Sequence, residues 1–145
     1  MRFYLNETAR ARGVQPPRAP KSGDAGYDIR SCADMIILPG EQALVPTGLH
    51  VAIPTGWVGL IKDRSSVAAA GAHTTGGVID ASYRGEIKVI MRNAGQHPFH
   101  IHINDRIAQL VIVPCYTSEA ESVEQLADLG TTERAQSGFG STGRG

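Results

Sequence analysis

Apolar residues recur at every second position over several short stretches of the chain. Leu49, Val51 and Ile53 alternate with His50 and Ala52; Ile87, Val89 and Met91 alternate with Lys88, Ile90 and Arg92; Phe99, Ile101 and Ile103 alternate with His100 and His102. A period of two sends successive side chains to opposite faces, so each stretch predicts a strand with one face in a core. Met35 to Leu38, Trp57 to Ile61 and Ile107 to Val113 are more continuously apolar and predict strands covered on both faces. Turn residues separate them at Pro39-Gly40, Pro46-Thr47-Gly48, Pro54-Thr55-Gly56, Asn93-Ala94-Gly95 and Asn104-Asp105. Many short strands between frequent turns predict an all-β sandwich, jelly roll or barrel.

Two stretches depart from this pattern. From Thr117 to Leu129 the pair Ser118 and Glu121 has the spacing of a capping box, and Val123, Leu126 and Leu129 have helical spacing, which predicts a short helix. The end, residues 138–145, carries too little apolar surface to offset its ordering entropy and reads as a disordered tail. The 17 glycines and 8 prolines fall throughout the chain, leaving room for few helices. A length of 145 residues supports one core and one domain.

The 14 Lys and Arg balance the 14 Asp and Glu, which excludes whole-surface attraction to nucleic acid or an anionic membrane as the main driving force. Cys32 and Cys115 make no disulfide framework, the N-terminus has no apolar signal stretch, and no run reaches membrane-spanning length. A cytoplasmic location is the expectation.

Several segments carry candidate chemistry. Gly76 to Glu86 delivers Asp80 and Tyr83, three residues apart across a turn and able to face one cavity; the same residues also suit a hairpin in which Asp80 accepts turn hydrogen bonds and Tyr83 packs on a sheet edge. Lys62-Asp63-Arg64-Ser65-Ser66 runs into an alanine-rich stretch. A guanidinium beside two hydroxyls suits phosphate oxygens, whereas a Ser N-cap beside a surface Arg explains the same letters. In the tail, Arg134, Ser141 and Thr142 offer a cation and hydroxyl donors, the glycines offer an anion nest, and Phe139 offers a stacking face. Neither a P-loop nor a dinucleotide-binding glycine pattern is present. His100 and His102 could chelate zinc from one strand face, but His97 and Cys115 are poorly placed as a third ligand, so two solvent-facing histidines are the simpler account.

Five segments together resemble the homotrimeric deoxyuridine triphosphatase (dUTPase) family in order and spacing: Ala25 to Ser31, Asp63 to Ser66, Gly77 to Glu86, Asn104 to Leu110, and Arg134 to Gly143. The resemblance implies a distorted, β-clip-like jelly roll over residues 1–132 and a Gly-rich tail, 133–145, that closes over the active site. It also implies three active sites at subunit interfaces, with the stretch from Thr117 to Leu129 an extended arm crossing to a neighbour rather than a helix. The implied reaction is hydrolysis of dUTP to dUMP and pyrophosphate by water attacking the α-phosphorus, with Mg²⁺ held by the triphosphate and water.

By the same resemblance, Asp80 orients and deprotonates the water, and Tyr83 lies against the deoxyribose, leaving no room for a 2′-hydroxyl. Backbone groups of Gly77, Val78, Ile79 and Asp80, with the strand near Lys88, read the uracil edge. Arg64, Ser65, Ser66 and Gln109 hold the phosphates and the water, and Asp28 stands behind them. Arg134, Ser141 and Thr142 close over the terminal phosphates, with Phe139 stacked on uracil. One subunit gives Arg64 and Gln109, a second Asp80 and Tyr83, a third the tail. Ala135 and Ser137 depart from glycine, and Thr74 stands where some bacterial relatives place an Asn near the base. A dCTP deaminase, or a bifunctional enzyme of the same superfamily, shares the fold and a similar Asp segment. A non-enzymatic jelly-roll binding module would leave Asp80, Tyr83, Arg64 and the tail without a role.

Overall fold

The computed structural model describes residues 1–18 and 21–132, so the expectations for Arg134, Phe139, Ser141, Thr142 and the rest of the tail lie outside the described residues. The strands are β1 (Arg2–Leu5), β2 (Gly26–Arg30), β3 (Met35–Ile37), β4 (Gln42–Ala52), β5 (Trp57–Asp63), β6 (Ala72–Thr74), β7 (Val78–Ile79), β8 (Ile87–Asn93), β9 (Phe99–Ile101) and β10 (Arg106–Pro114). Two short helices, α1 (Glu7–Ala11) and α2 (Ser65–Ala69), interrupt them. One antiparallel sheet has the order β1-β4-β8-β6, a second β2-β10-β5-β7, and β3 pairs with β9. The main core draws Val45, Val89 and Met91 from the first sheet and Ile29, Ile61 and Leu110 from the second, and a smaller cluster gathers Ala9, Val14 and Cys32. The architecture is the all-β, distorted jelly roll expected.

In β8, Ile87, Val89 and Met91 are buried while Lys88 and Arg92 are exposed, which is the alternation the sequence shows. The expectation of two-sided cover for Met35 to Leu38 fails. Ile37 is buried, but Ile36 is 58% and Leu38 48% exposed, because β3 pairs only with the short β9.

Pro46-Thr47-Gly48 is not a turn. It is a bulge inside β4: Pro46 pairs with Lys88, but the next paired residue is Leu49, opposite Ile87. Proline has no ladder donor to lose, and an irregularity there releases the N–H groups of Thr47 and Gly48 from the ladder. Gly48 has φ +65°, and a Cβ on it would run into the Ala9 side chain and stand 2.8 Å from Asn6 Oδ1. Asn6 is the N-cap of α1, accepting from Ala9 N at 2.9 Å, and its own N–H donates to Gly48 O at 2.8 Å. The bulge therefore seats α1 on the sheet.

The helix that spacing alone predicts from Thr117 to Leu129, which the resemblance replaces with an extended arm, does not form. Ser118 and Glu121 cap nothing, and the only helical turn in that stretch is a 3-10 turn, Leu126–Leu129, capped by Gln125 and Asp128. Leu126 and Leu129 are 65% and 69% exposed, so among the described residues the apolar stripe has no surface to pack on. Without packing, a short helix is not stable.

Replacing Gly48 by Ala should destabilise the fold by about 2 kcal/mol or more, since it combines a left-handed backbone with a buried clash. Chemical denaturation of the two proteins checks this; an unchanged midpoint would mean that the bulge relaxes freely.

Candidate functional site

Asp80 follows β7, the edge strand paired to β5 through Ile79 with Gly59 and Val78 with Leu60. Glycine is required just before it. Gly77 has φ +140°, a Cβ there would collide with the Ile61 side chain, and its carbonyl accepts from Ile61 N at 2.9 Å. The Asp80 carbonyl accepts from Tyr83 N at 3.1 Å, closing a turn, and the Tyr83 hydroxyl donates to Glu86 O at 2.9 Å. Val78, Ile79, Asp80, Tyr83 and Lys88 line one cleft of about 450 Å³, walled also by Leu44, Glu86, Ile87 and Ile90. Asp80 thus accepts a turn hydrogen bond through its carbonyl, while among the described residues its carboxylate has no hydrogen-bond or ion-pair partner.

Arg64 lies at the other end of β5. It is the N-cap of α2 with extended backbone, and Ser65 and Ser66 are the first residues of that helix, so neither is the cap. Arg64 Nε donates to Asp28 Oδ1 at 2.9 Å, and Arg106 Nη1 donates to Asp28 Oδ2 at 3.2 Å. Arg64 Nη1 lies 3.5 Å from Ser66 Oγ and 3.4 Å from Arg106 O. Gln109 pairs across the ladders with Asp28 on β2 and with Lys62 on β5. Asp28, Arg64, Ser65, Ser66 and Gln109 thus form one group. Asp28 holds the guanidinium by its Nε edge, while Nη1 faces the Ser66 hydroxyl and the Arg106 carbonyl. Arg106 joins the group from within a segment already marked by the sequence, although no role was expected of it.

The two groups do not meet within one chain. Arg64 lies five positions along the chain from Gly59, the partner of Ile79, roughly 16 Å at ~3.3 Å per residue. The pairing order places β7 at one edge of the sheet and β2, which carries Asp28, at the other. Asp28 therefore draws Arg64 away from the Asp80 edge.

A third cluster was not legible in the sequence. Asp63 Oδ1 accepts from Thr74 N and Thr74 Oγ1, both at 2.6 Å, and Asp63 Oδ2 lies 3.0 Å from His73 Nδ1. The Thr74 hydroxyl is thereby committed to Asp63. Burial pushes the Asp63 carboxyl up, but the bonds from Thr74 and His73 outweigh it and hold its pKa below the usual value. His100 and His102 are both exposed, with His102 Nδ1 3.7 Å from Asp34 Oδ1, and no group of three or more possible metal ligands is gathered among the described residues.

A carboxylate with a lowered pKa in the folded state stabilises the fold above its unfolded pKa and loses that contribution as pH falls through the folded value. The stability difference between the native protein and Asp63→Asn should therefore be full at neutral pH and shrink below about pH 4. Urea unfolding of both proteins at neutral and acid pH measures it; a difference independent of pH would show that the ionised carboxylate is not what matters.

The family model for dUTPase matches residues 13–143. The chain is 44% identical over 131 residues to the deoxyuridine 5′-triphosphate nucleotidohydrolase of Cutibacterium acnes, covering 88% of this chain and 84% of that protein. The structure is similar to that of the Staphylococcus bacteriophage 80alpha dUTPase with dUPNHPP, with a TM-score of 0.86, 30% identity, and coverage of 98% of this chain and 97% of that one. A mutant dUTPase of phage phi11 of S. aureus, described with a structural Mg(II) ion, gives a TM-score of 0.76 at 29% identity, covering 87% of this chain and 97% of that one.

Proposed function

The chain belongs to the dUTPase family, and on that premise we propose that it is a dUTP diphosphatase, in which water attacks the α-phosphorus of dUTP to release dUMP and pyrophosphate. The observation that carries the assignment is Asp80: an exposed carboxylate with no partner among the described residues, beside Tyr83 in one cleft. A base must be free to accept a proton and near the space the substrate fills, and Asp80 meets both conditions. Tyr83 flanks the sugar and excludes a 2′-hydroxyl, while the backbone of Gly77, Val78 and Ile79, with the strand at Lys88, reads the uracil edge.

Arg64, Ser65, Ser66 and Gln109 hold the phosphates, with Asp28 fixing Arg64. Phosphoryl transfer asks the protein chiefly for an aligned water and neutralised charge, so this donor set suits it. Groups acting on one phosphorus must stand within a few ångströms of it. The separation along β5 therefore favours a site built from more than one subunit of a homotrimer, with the arm after Pro114 crossing to a neighbour. The exposed apolar side chains of Ile36, Leu38, Leu44, Trp57, Leu126 and Leu129 are surface for such an assembly. The tail, with Arg134, Phe139, Ser141 and Thr142, closes the site and forms the second unit, 133–145.

Mg²⁺ fits this arrangement. The ion keeps its waters and binds largely through substrate phosphates, and among the described residues no cage of protein ligands is gathered to hold it instead. When bound it neutralises triphosphate charge. A cytoplasmic enzyme is consistent with two free cysteines, and its product would feed thymidine nucleotide synthesis.

Asp80→Asn should fold and bind dUTP yet lose about 10²–10⁴-fold in kcat, because the near-isosteric amide takes no proton at neutral pH. A purified variant keeping more than about a tenth of the rate would remove Asp80 as base. Pyrophosphate release measured across dUTP, UTP, dTTP and dCTP should be fast for dUTP alone. Ammonia released from dCTP would instead identify a deaminase, and no release from any of them would favour a binding module.

A further inference from the structure

We infer that Glu86 is a positioning residue for sugar discrimination, holding Tyr83 in place by gripping the β4 bulge. Glu86 Oε1 accepts from Thr47 N at 3.0 Å and from Gly48 N at 2.8 Å. These consecutive N–H groups are available because the pairing of β4 with β8 skips from Pro46 to Leu49. The grip is reinforced from the next residue. Thr47 is fully buried, its hydroxyl donates to Ile87 O, and it accepts from Leu49 N at 3.0 Å.

Tyr83 is held by the same residue from the other side. Its ring is exposed at the cleft, but its hydroxyl donates to Glu86 O at 2.9 Å. Glu86 therefore faces both ways: its side chain is fastened to the sheet, and its carbonyl fastens the ring. Removing the carboxylate leaves the Thr47 and Gly48 donors without their acceptor and frees the start of β8 to shift. The carbonyl that anchors Tyr83 moves with it. A ring free to swing leaves space for a 2′-hydroxyl, so the loss should fall on discrimination between dUTP and UTP more than on turnover of dUTP.

The inference rests on the assignment of Tyr83 as the residue beside the sugar. The test is kcat/KM for dUTP and for UTP in the full chain and in Tyr83→Ala, Tyr83→Phe, Glu86→Ala and Glu86→Gln. Glu86→Ala should lower the dUTP/UTP ratio by about tenfold or more. Glu86→Gln should recover most of it, since an amide oxygen can still accept from both N–H groups. A merely structural role would lower both substrates alike and leave the ratio at its original value, which would overturn the inference, as would a Gln variant no better than Ala. Should Glu86→Ala fail to fold, Tyr83→Phe decides, because it keeps the ring and cuts only the tie to Glu86 O. A lowered ratio then supports the inference and an unchanged one overturns it. A ratio unchanged in Tyr83→Ala would instead remove the Tyr83 assignment itself.

Discussion

Strand β5 is the rigid spacer on which the chemistry of this molecule depends. One of its partners, β7, leads into Asp80, and its own end leads into Arg64. Because β5 is ladder-bonded to β10 as well as to β7, its length cannot contract to bring the two residues together. Asp28, two strands away, tethers Arg64 on the side opposite to β7. Asp80 and Arg64, the residues proposed as base and phosphate clamp, are thus held apart along the strand. On the proposed roles of these residues, a phosphoryl-transfer site would take Asp80 from one chain and Arg64 from another.

The same division shows in how each half is stabilised. The Arg64 group is electrostatic: two guanidiniums share one carboxylate, Asp28. Asp28 and Arg64 are half-buried and Arg106 is exposed, so the pairs add only modestly to stability, and their value is geometric, orienting Arg64 by one edge. The Asp80 half is held by backbone and packing, through Gly77 against Ile61 and through Glu86 on the bulge. Among the described residues its carboxylate has no partner, which suits the proton-accepting role proposed for it.

Much of this was legible in the sequence because the signals were local. Alternation in β8 marked its buried face, and the Asp80 to Tyr83 spacing marked a turn that the structure closes with a backbone bond. Elsewhere a local signal pointed two ways. Pro46-Thr47-Gly48 has the composition of a turn and of a bulge, and only pairing with β8 decides between them. Val123, Leu126 and Leu129 have helical spacing, but a helix needs a surface to pack on, which the described residues do not supply. The clusters that went unread are those whose partners are distant in sequence. Glu86 grips residues 38 and 39 positions away, and Asp63 meets His73 and Thr74 across 10 and 11. No periodicity records such contacts. Asp28 was visible as a residue of the first marked segment, yet its hold on Arg64 spans 36 positions and needed the fold to be seen.

Separation of Asp80 from Arg64 can be tested by mixing chains. Full-length protein carrying Asp80→Asn and full-length protein carrying Arg64→Ala, given different tags, are co-expressed, and mixed assemblies are isolated through both tags. Each variant alone should be nearly inactive on dUTP. If a site takes Asp80 from one chain and Arg64 from another, some sites in the mixed assemblies hold an intact Asp80 from the Arg64→Ala chain and an intact Arg64 from the Asp80→Asn chain, and pyrophosphate release should recover to a substantial fraction of the native rate. Mixed assemblies no more active than their parents would mean that one chain supplies both residues, contradicting the spacing imposed by β5.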